Sequence, residues 1–355
     1  MTSIAKSPRP KRAESAWRNP FFGTWPNALV TLVMCAILAA VVPPFFRWAW
    51  LDAVWFDPDP ASCRAASGAC WNFISAKMGQ LLFGIYPHPE RWRPAIACLA
   101  IIALLGWSVR PSAWTRNMAW VWIVALTSVF WLMGGGLGLT IVPSALWGGL
   151  PVTLILTVVA IGLGFPIGVL LALGRRSKMP ALSAICVVFI ESVRGLPLLT
   201  ILFVASIMLP LFLPDALVPD KFVRALVALT LFAACYFAEV VRGGLQAVPK
   251  GQFEAIDAMA MPFWTAQRLV ILPQAIRIVI PALANTVIVM IKNTSLVLVV
   301  GLFDLISSGK AALADPEWPS PAAETYLFIG AIFFVISFGF ARFADFLERR
   351  GRRDH

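Results

Sequence analysis

Four charged side chains interrupt apolar stretches of this sequence, and they form two pairs with the same spacing. Glu191 and Arg194 lie in FIESVRGLPLL, and Glu239 and Arg242 lie in YFAEVVRGGLQ. Residues three apart share one face of a helix, so each acid can pair with the base one turn later. An ionisable group inside an apolar segment is costly and by default marks a function. We expect Arg194 and Arg242 to form structural charge pairs. Glu191 and, more strongly, Glu239 are candidates for a substrate path.

A second polar set follows on a later apolar stretch. Asn285 and Lys292 are seven residues apart and therefore share a helix face, and Thr294 and Ser295 come directly after them. Such a stripe can line a water-filled path through a membrane. The alternatives are hydrogen bonds between helices, worth about 1 kcal/mol per pair, and a Lys292 side chain that reaches the lipid headgroups.

Residues for covalent chemistry are missing. Ser308-Gly309-Lys310-Ala311 lacks the leading glycine and the hydroxyl of a phosphate-binding loop. His88 and His355 are the two histidines, and neither lies in an apolar stretch. The sequence therefore predicts no catalytic residue, no metal site and no cofactor on this chain. Any ATP that drives its function must bind another subunit.

The composition is that of a polytopic membrane protein. Hydrophobic residues make up 59% and charged residues 13% of the 355 residues, against about 25% charged in soluble domains. The net charge of +11 comes from basic residues at the ends of apolar runs, so it does not indicate nucleic-acid binding. We predict an all-α fold with about 8 transmembrane helices. The apolar segments are at about 28–48, 95–109, 117–139, 148–173, 180–213, 222–246, 278–300 and 323–346.

Basic residues also predict the orientation. Arginine and lysine concentrate in the N-terminal arm, in the turns 110–116 and 174–179, in the segment 247–277 and in the C-terminal tail. Placing all of these in the cytoplasm fits an even number of spans with both termini inside. The 49–93 loop is an exception, because it also carries four basic residues. The basic residues of the arm are Lys6, Arg9, Lys11, Arg12 and Arg18, ahead of an apolar run that we interpret as an uncleaved anchor.

A shift in composition at Gly134-Gly135-Gly136 divides the chain. Upstream lies an accessory unit of three spans rich in Trp and Pro, and downstream lies a core of five spans that carries the charged residues. We assign a cytoplasmic basic arm, the accessory unit, a transmembrane core and a basic tail, at 1–27, 28–140, 147–346 and 347–355. Cys63 and Cys70 lie in a polar loop, and the sequence leaves open whether they form a disulfide.

A long non-spanning segment separates the third and fourth core spans, 222–246 and 278–300. Pro249 and Pro262 bracket a short helix at about 252–260, and an amphipathic run then ends at Leu272-Pro273. We expect this helix to lie along the membrane surface and to dock on a partner. Glu254, Ala258 and Met261 are predicted to share its exposed face.

The segment 249–295 resembles the EAA loop of ABC importer permeases, and the resemblance implies that an ATPase subunit docks on 249–276. The resemblance rests on Glu254-Ala255, the run Leu269 to Leu272, Pro273, Pro281, Asn285, Lys292 and Thr294-Ser295-Leu296. Trp147-Gly148-Gly149-Leu150, the stretch Glu191 to Leu198 and Ala238-Glu239-Val240-Val241-Arg242 are similar to the polar amino acid branch, of the histidine and glutamine permease type. The three-span extension is most similar to the general L-amino acid permeases.

This resemblance implies a type I importer permease in the bacterial inner membrane. It implies import of a broad range of L-amino acids, driven by a separate ATP-binding subunit that holds ATP and magnesium. It also implies a sister permease, a periplasmic amino acid-binding protein and surrounding membrane lipid as partners. The docking residues it implies are Gly251, Glu254, Ala255, Ala258, Ala260, Leu272 and Pro273.

Two residues depart from the family pattern. Ile256 stands where the family usually has alanine, and Ala260 stands where it usually has glycine. Both add bulk to the loop, and Ala260 removes a residue that turns easily. We therefore expect the docking geometry, or the partner's groove, to be adapted here.

Three other classes of protein are weighed against this one. A secondary transporter needs intramembrane acids for ion coupling and usually an internal repeat, and no convincing repeat is present. A membrane-embedded enzyme needs a metal or nucleophile constellation, which the chain lacks. The third alternative is a coupling or structural permease subunit without its own substrate site.

Overall fold

The structure, a computed structural model, describes residues 21–57, 59–115 and 117–353. The basic residues assigned to the N-terminal arm, and Arg116, lie outside this part of the chain, as do the last two residues of the tail. The contacts divide the chain into two units, Met1–Asn72 and Phe73–His355. Within the described ranges almost all of the regular structure is helical, and the one strand there, Phe303–Asp304, has two residues.

The α-helices, in chain order, are α1 (Trp25–Phe46), α2 (Pro60–Ala65), α3 (Trp71–Phe83), α4 (Trp92–Ser108), α5 (Met118–Gly134), α6 (Gly149–Arg175), α7 (Pro180–Gly195), α8 (Leu198–Phe203), α9 (Leu209–Phe212), α10 (Lys221–Ala247), α11 (Lys250–Ala258), α12 (Phe263–Ala266), α13 (Leu272–Ile278), α14 (Ile280–Asn293), α15 (Leu305–Leu313) and α16 (Ala322–Arg353). The π-helical segments are Arg47–Leu51, Val204–Met208 and Gln267–Ile271. The 3₁₀ segments are His88–Glu90, Pro111–Ala113, Ser144–Leu146, Asp215–Leu217 and Thr294–Val300.

The described residues contain five helices that are long and apolar enough to cross a membrane, or six if a bent pair counts as one span. The five are Trp25–Leu51, Gly149–Arg175, Lys221–Ala247, Ile280–Val300 and Ala322–Arg350. The all-α membrane fold is thus confirmed, but the count of eight is not. The difference lies in the segments expected at 95–109 and 117–139, because α4 and α5 have 17 residues each, short of the roughly 20 that a span needs.

The span expected at 180–213 is a pair of helices that meet at a sharp angle. Pro180–Gly195 and Leu198–Phe212 are bent by 103°. Pro197 is the N-cap of the second helix, and proline disfavours helical backbone in the residue before it. The break therefore follows from the sequence at the position where Arg194-Gly195 and Pro197 predicted it.

The unit Met1–Asn72 contains α1 and a small cross-linked loop. No residue of α1 is buried within the described part of the chain, so its whole apolar surface is available to lipid or to other proteins. After it, Cys63 and Cys70 form a disulfide. Trp71 Nε1 donates to the Ala49 carbonyl oxygen at 2.7 Å and ties this loop to the end of the first helix.

In the unit Phe73–His355, α6 and α10 pack closely. A Cβ on Gly164 would lie 3.0 Å from Ala233 Cβ, and one on Gly168 would lie 2.7 Å from the Ala234 carbonyl oxygen. Glycines are therefore required on α6 wherever α10 crosses it, which is the usual way that helices approach in membranes.

Two helices of the accessory unit, α4 and α5, share a hydrophobic core with this pair. Cys98 and Ile101 on α4, Met133 on α5, Leu154 on α6 and Phe222 on α10 belong to one buried cluster. The side chains of α4 and α5 thus pack directly on the transmembrane core.

Ion pairs account for two of the four basic residues in the 49–93 loop, the segment that did not fit the predicted orientation. Lys77 on α3 forms an ion pair with Asp315, and Lys77 lowers the pKa of that carboxyl. Arg93, which is buried, lies 2.9 Å from Glu90 Oε2 and also donates to the Thr140 carbonyl oxygen at 2.7 Å. These two cations act as local structural partners, so they carry little information about the side of the membrane.

Asp304 caps α15 from a fully buried position. Its Oδ1 accepts a hydrogen bond from the Ser307 backbone N–H at 2.8 Å and another from Ser307 Oγ at 2.5 Å. This satisfies backbone donors at the helix start. Burial raises the pKa of the Asp304 carboxyl, although the Ser307 hydrogen bonds act in the opposite direction.

Candidate functional site

The two charged pairs found in the sequence meet in one cluster, between α7 and α10. Arg194 Nη1 lies 3.7 Å from Glu191 Oε2 on its own helix and 3.5 Å from Glu239 Oε2 on the other helix. Arg242 Nε donates to Glu239 Oε2 at 3.0 Å, and Arg242 Nη2 also pairs with Oε1 of the same carboxylate. The expected pairing one turn apart is present on both helices, and Glu239 connects them.

Arg175 brings a third helix, α6, into the cluster. Its Nη1 lies 2.8 Å from Glu191 Oε1 and 3.4 Å from Glu239 Oε2. In the sequence, Arg175 counts among the basic residues of the turn 174–179 that predict the side of the membrane, and it was not assigned to the charged site. A signal was available, because a cation in the last turn of a span, one helix away from two acids, is a candidate partner for them.

The cluster holds three cations and two anions, so one positive charge is left over. Side-chain exposure is 51% for Glu191, 25% for Glu239 and 23% for Arg175. The Arg194 guanidinium also lies over the Tyr236 ring, 5.7 Å from its centroid. A ligand ammonium group would have to displace arginines to reach Glu239, whereas Glu191 keeps half of its side chain open and a ligand carboxylate would meet the surplus cation.

The polar stripe of α14 lies apart from this cluster. Asn285 and Lys292 are both exposed on one side of the helix, as their spacing predicts. Neither makes a hydrogen bond or ion pair with the cluster in the described part of the chain. Thr294 is buried and donates to the Ile291 carbonyl oxygen, and Ser295 donates to the Lys292 carbonyl oxygen, both at 2.7 Å. These two hydroxyls are therefore satisfied by their own helix.

The expected docking helix is α11, and its end explains one of the unusual residues. The Ala260 N–H donates to the Asp257 carbonyl oxygen at 3.0 Å, and the Met261 N–H donates to the Ile256 carbonyl oxygen at 3.2 Å. These two bonds form a Schellman motif, whose turning residue adopts a left-handed conformation and is usually glycine. Ala260 occupies that position with φ +50.

Side-chain directions on α11 separate an outer face from an inner one. Gly251, Glu254, Ala255 and Ala258 are exposed, and this face is small and acidic. Ile256 is buried among the residues of a second apolar cluster. Its bulk therefore fills the core and adds nothing to the outer face of α11. An adapted docking geometry or partner groove stays a prediction.

Met261 was expected on the outer face, and that assignment is also wrong. The helix ends at Ala258, and the left-handed turn at Ala260 redirects the chain. Met261 then packs, partly buried, against the same apolar cluster as Ile256. The helical spacing that placed it beside Glu254 does not apply beyond the turn.

Two further side chains attach α11 to the spans. Arg176 Nη1 donates to the Leu245 carbonyl oxygen near the end of α10 at 2.9 Å, and its guanidinium lies over the Phe253 ring, 5.4 Å from the centroid. Gln274 Nε2 donates to Gln252 Oε1 at 3.1 Å. Sequence reasoning missed these contacts, because each joins segments that are far apart along the chain.

The rest of the docking segment is continuous with the next span. The π-helical stretch Gln267–Ile271 leads into α13, where Leu272 is partly buried and Pro273 is exposed. A Cβ on Gly244 of α10 would lie 2.5 Å from the Ala275 carbonyl oxygen, so α13 rests directly on α10. No group of His, Cys, Asp and Glu able to hold a metal ion occurs among the residues that the structure describes.

Comparison with known proteins identifies the family. Residues 164–353 match the model of the binding-protein-dependent transport system inner membrane component. This range covers more than half of the chain and includes the charged cluster, α11 and α14. The chain belongs to this family. The permease is therefore a component of a membrane transport system and not an enzyme.

Two relatives support this assignment, and one of them matches the permease over its full length. The permease is 45% identical over 369 residues to the inner membrane amino-acid ABC transporter permease protein YhdY of Escherichia coli K12, covering 100% of both chains. It is 34% identical to the glutamate/glutamine/aspartate/asparagine transport system permease protein BztC of Rhodobacter capsulatus, covering 86% of each chain. A crystal structure of an amino acid ABC transporter with histidines matches 56% of the permease and 90% of that chain, with 34% identity and a TM-score of 0.49.

Proposed function

We propose that this permease imports amino acids through the inner membrane, driven by a separate ATP-binding subunit that docks on α11. The full-length similarity to amino-acid ABC transporter permeases supports the substrate class. The observation that carries the coupling role is the exposed face of α11, because Glu254, Ala255 and Ala258 are unburied while the opposite side of the same short helix is anchored to the spans.

The anchoring suggests how docking moves the spans. Arg176 and Phe253 join α11 to the turn after α6 and to the end of α10. Arg175, the neighbour of Arg176, joins the charged cluster on α7 and α10. A displacement of α11 by the ATPase would therefore be transmitted to three helices as a rigid movement, which is the usual form of gating between two states. ATP and magnesium would be bound by the partner.

The ends of the helices agree with a common cytoplasmic side for the basic segments. The Arg350 guanidinium at the end of α16 lies 5.2 Å from the centroid of Trp114, in the turn between α4 and α5. That contact places two of the basic segments at one end of the unit Phe73–His355. It supports one shared side of the membrane for the turn between α4 and α5 and for the end of α16.

The remaining partners follow from the family. Its members are inner membrane components of binding-protein-dependent systems, so a periplasmic amino acid-binding protein would deliver the substrate. A sister permease would complete the path. The imported substrates would be a broad range of L-amino acids. An amino acid zwitterion offers one ammonium and one carboxylate group. Within our proposal the carboxylate meets the surplus cation of the cluster, and Glu239 or Glu191 accepts the ammonium.

One observation favours a second candidate function, a coupling subunit without a substrate site. Both carboxylates of the cluster already have arginine partners, and Asn285 and Lys292 lie elsewhere. In that case the sister permease would carry the whole substrate site. A photoreactive amino acid analogue, cross-linked to the assembled transporter, would label this chain in the first case and the sister chain in the second.

The coupling role is tested in proteoliposomes that contain the complete transporter. Replacing Glu254 with Lys, or Ala255 with Trp, should abolish ATP-dependent amino acid uptake and co-purification of the ATPase while leaving membrane insertion intact. Lys178→Glu, a charge reversal on the exposed turn 174–179, is the matched control. Uptake that persists in both α11 variants would refute docking there. Uptake driven by an ion gradient without ATP would instead indicate a secondary transporter.

A further inference from the structure

An apolar groove runs between α4, α5, α6 and α16. One cavity of about 600 Å³ is lined by α5 and α6, and a second of about 350 Å³ is lined by α4 and α16. Leu105 and Phe340 line both cavities, so they are parts of one groove. Its size is that of a site for a sizeable organic molecule.

Glycines leave the groove open. Gly106 on α4, Gly162 on α6 and Gly339 on α16 line it. A Cβ added at any of these three would meet no atom within 4 Å. In contrast, Gly164 and Gly168 on α6 face a tightly packed helix. The glycines of the groove are therefore not needed for close helix contact, and the space beside them is free for a ligand.

One end of the groove is polar, basic and aromatic. Gly339 and Phe343 of α16 line the groove, and Arg350 follows seven residues after Phe343. At that spacing the Arg350 guanidinium lies on the same face of α16 as the two lining residues. Arg350 lies over the ring of Trp114, whose Nε1 donates to the Ser108 carbonyl oxygen at 2.9 Å. Ser108 itself lines the groove, which connects this end to the apolar walls.

Charges at this end favour an anion. Arg110 is exposed in the same turn as Trp114, and Arg349 is exposed beside Arg350. The last two turns of α16 before residue 351 carry Asp345 and Glu348 against Arg349 and Arg350, so with Arg110 these five described residues have a net charge of +1. Tryptophan and arginine beside an apolar surface are typical of residues placed at the level of lipid headgroups.

We propose that this groove binds an anionic phospholipid. Its acyl chain would lie along Leu105, Gly339 and Phe340, and its phosphate would sit between Arg110 and Arg350. A zwitterionic phospholipid could fill the same walls, but it would leave the arginine charges uncompensated. The bound phospholipid would contact α4, α5, α6 and α16 at once. This lipid site is separate from the proposed transport and docking roles.

The test uses the full-length permease in bilayers of mixed phosphatidylglycerol and phosphatidylcholine. After mild detergent extraction, native mass spectrometry counts the phospholipids that stay bound. We expect wild-type protein to retain phosphatidylglycerol in preference to phosphatidylcholine. Gly339→Leu should fill the groove and abolish retention of both lipids. Gly330→Leu on the same helix, where an added Cβ also meets nothing within 4 Å, is the matched control and should retain them.

A second pair of variants separates charge from shape. Arg110→Gln and Arg350→Gln should each weaken phosphatidylglycerol retention about fivefold, the effect of one basic residue near an anionic surface, and should leave phosphatidylcholine retention unchanged. Equal retention of the two lipids by the wild-type protein would overturn the anionic preference. Equal retention by wild type and Gly339→Leu would overturn the groove as the site.

Discussion

Arg175 Nη1 lies 3.4 Å from Glu239 Oε2, although the two residues are 64 positions apart. This contact connects the C-terminal end of α6 to the middle of the charged cluster on α10. The residue after Arg175 holds α11, so one dipeptide touches both the cluster and the docking helix. The two parts of the molecule that we propose for coupling and for substrate binding are thus joined by neighbouring side chains.

Removing Arg175 should disturb the cluster more than removing a nearby exposed cation. Arg175→Ala leaves Glu191 with Arg194 alone, and we expect a loss of about 1.5–3 kcal/mol in stability, the range for hydrogen bonds to charged groups. Lys178→Ala, on an exposed side chain of the next turn, should change stability by less than about 0.5 kcal/mol. Thermal unfolding in detergent measures both, and equal effects would contradict the proposed network.

Glu239→Gln separates a substrate role from a structural one. The amide keeps the size of the side chain but removes the charge that three arginines share. If Glu239 accepts the substrate ammonium, the Km for uptake should rise and the substrate preference should change. Arg242→Gln removes one partner of the same carboxylate without removing the carboxylate. An unaltered Km and preference in Glu239→Gln would refute the substrate contact.

Ala260→Gly should stabilise the permease. Ala260 has a positive φ that costs an L-residue about 1 kcal/mol and costs glycine almost nothing. We expect unfolding at a higher temperature. Ala255→Gly, inside α11 and also exposed, should instead lose up to about 1 kcal/mol, because glycine disfavours helix. If both substitutions destabilise the protein, the turn at Ala260 is not strained.

Variants of Ile256 and Glu254 should separate an effect on the stability of the permease from an effect on ATPase binding. Ile256 is buried in an apolar cluster, so Ile256→Ala should lower stability by about 2–5 kcal/mol. Glu254 is exposed, so Glu254→Ala should leave stability nearly unchanged and weaken ATPase binding. Thermal unfolding of the permease alone and pull-down of the ATPase measure the two effects. Weak ATPase binding by a folded Ile256→Ala protein would contradict an inward role for that side chain.

Asp304 should make stability depend on pH in a particular direction. Burial raises the pKa of its carboxyl above the ordinary value of 3.8. Below that value the carboxyl is neutral in the folded and unfolded states. As pH rises through the raised folded pKa, the native state must hold a buried charge, so stability falls. Asp304→Asn keeps an acceptor for Ser307 and removes this loss. We therefore expect the stability of Asp304→Asn to increase relative to that of the wild type as pH rises above about 4.

Asp304→Ala serves as the control for that measurement. It also lacks the carboxyl but has no acceptor to cap α15, so it should be about 1 kcal/mol less stable than Asp304→Asn at every pH. A constant difference in unfolding temperature between wild type and Asp304→Asn would contradict the raised pKa.

Local patterns in the sequence were sufficient for much of this protein. The apolar runs predicted membrane helices, because lipid leaves a helix as the way to satisfy the backbone. The spacing of Glu191 with Arg194, and of Glu239 with Arg242, predicted pairs one turn apart. Pro249 and Pro262 predicted a short helix between them at about 252–260. Both ends of this prediction lie two residues from those of α11, Lys250–Ala258. Each of these depends on neighbours along the chain, so no tertiary contact was needed to infer it.

Tertiary structure decided what distant segments do to one another. Arg175 meets Glu239 because α6 and α10 cross at Gly164 and Gly168, and a sequence pattern does not say which helices cross. The direction of Ile256 depended on an apolar cluster built from several helices. Periodicity identifies the face of a helix, whereas the surface that covers that face is determined by packing, and packing is a property of the whole fold.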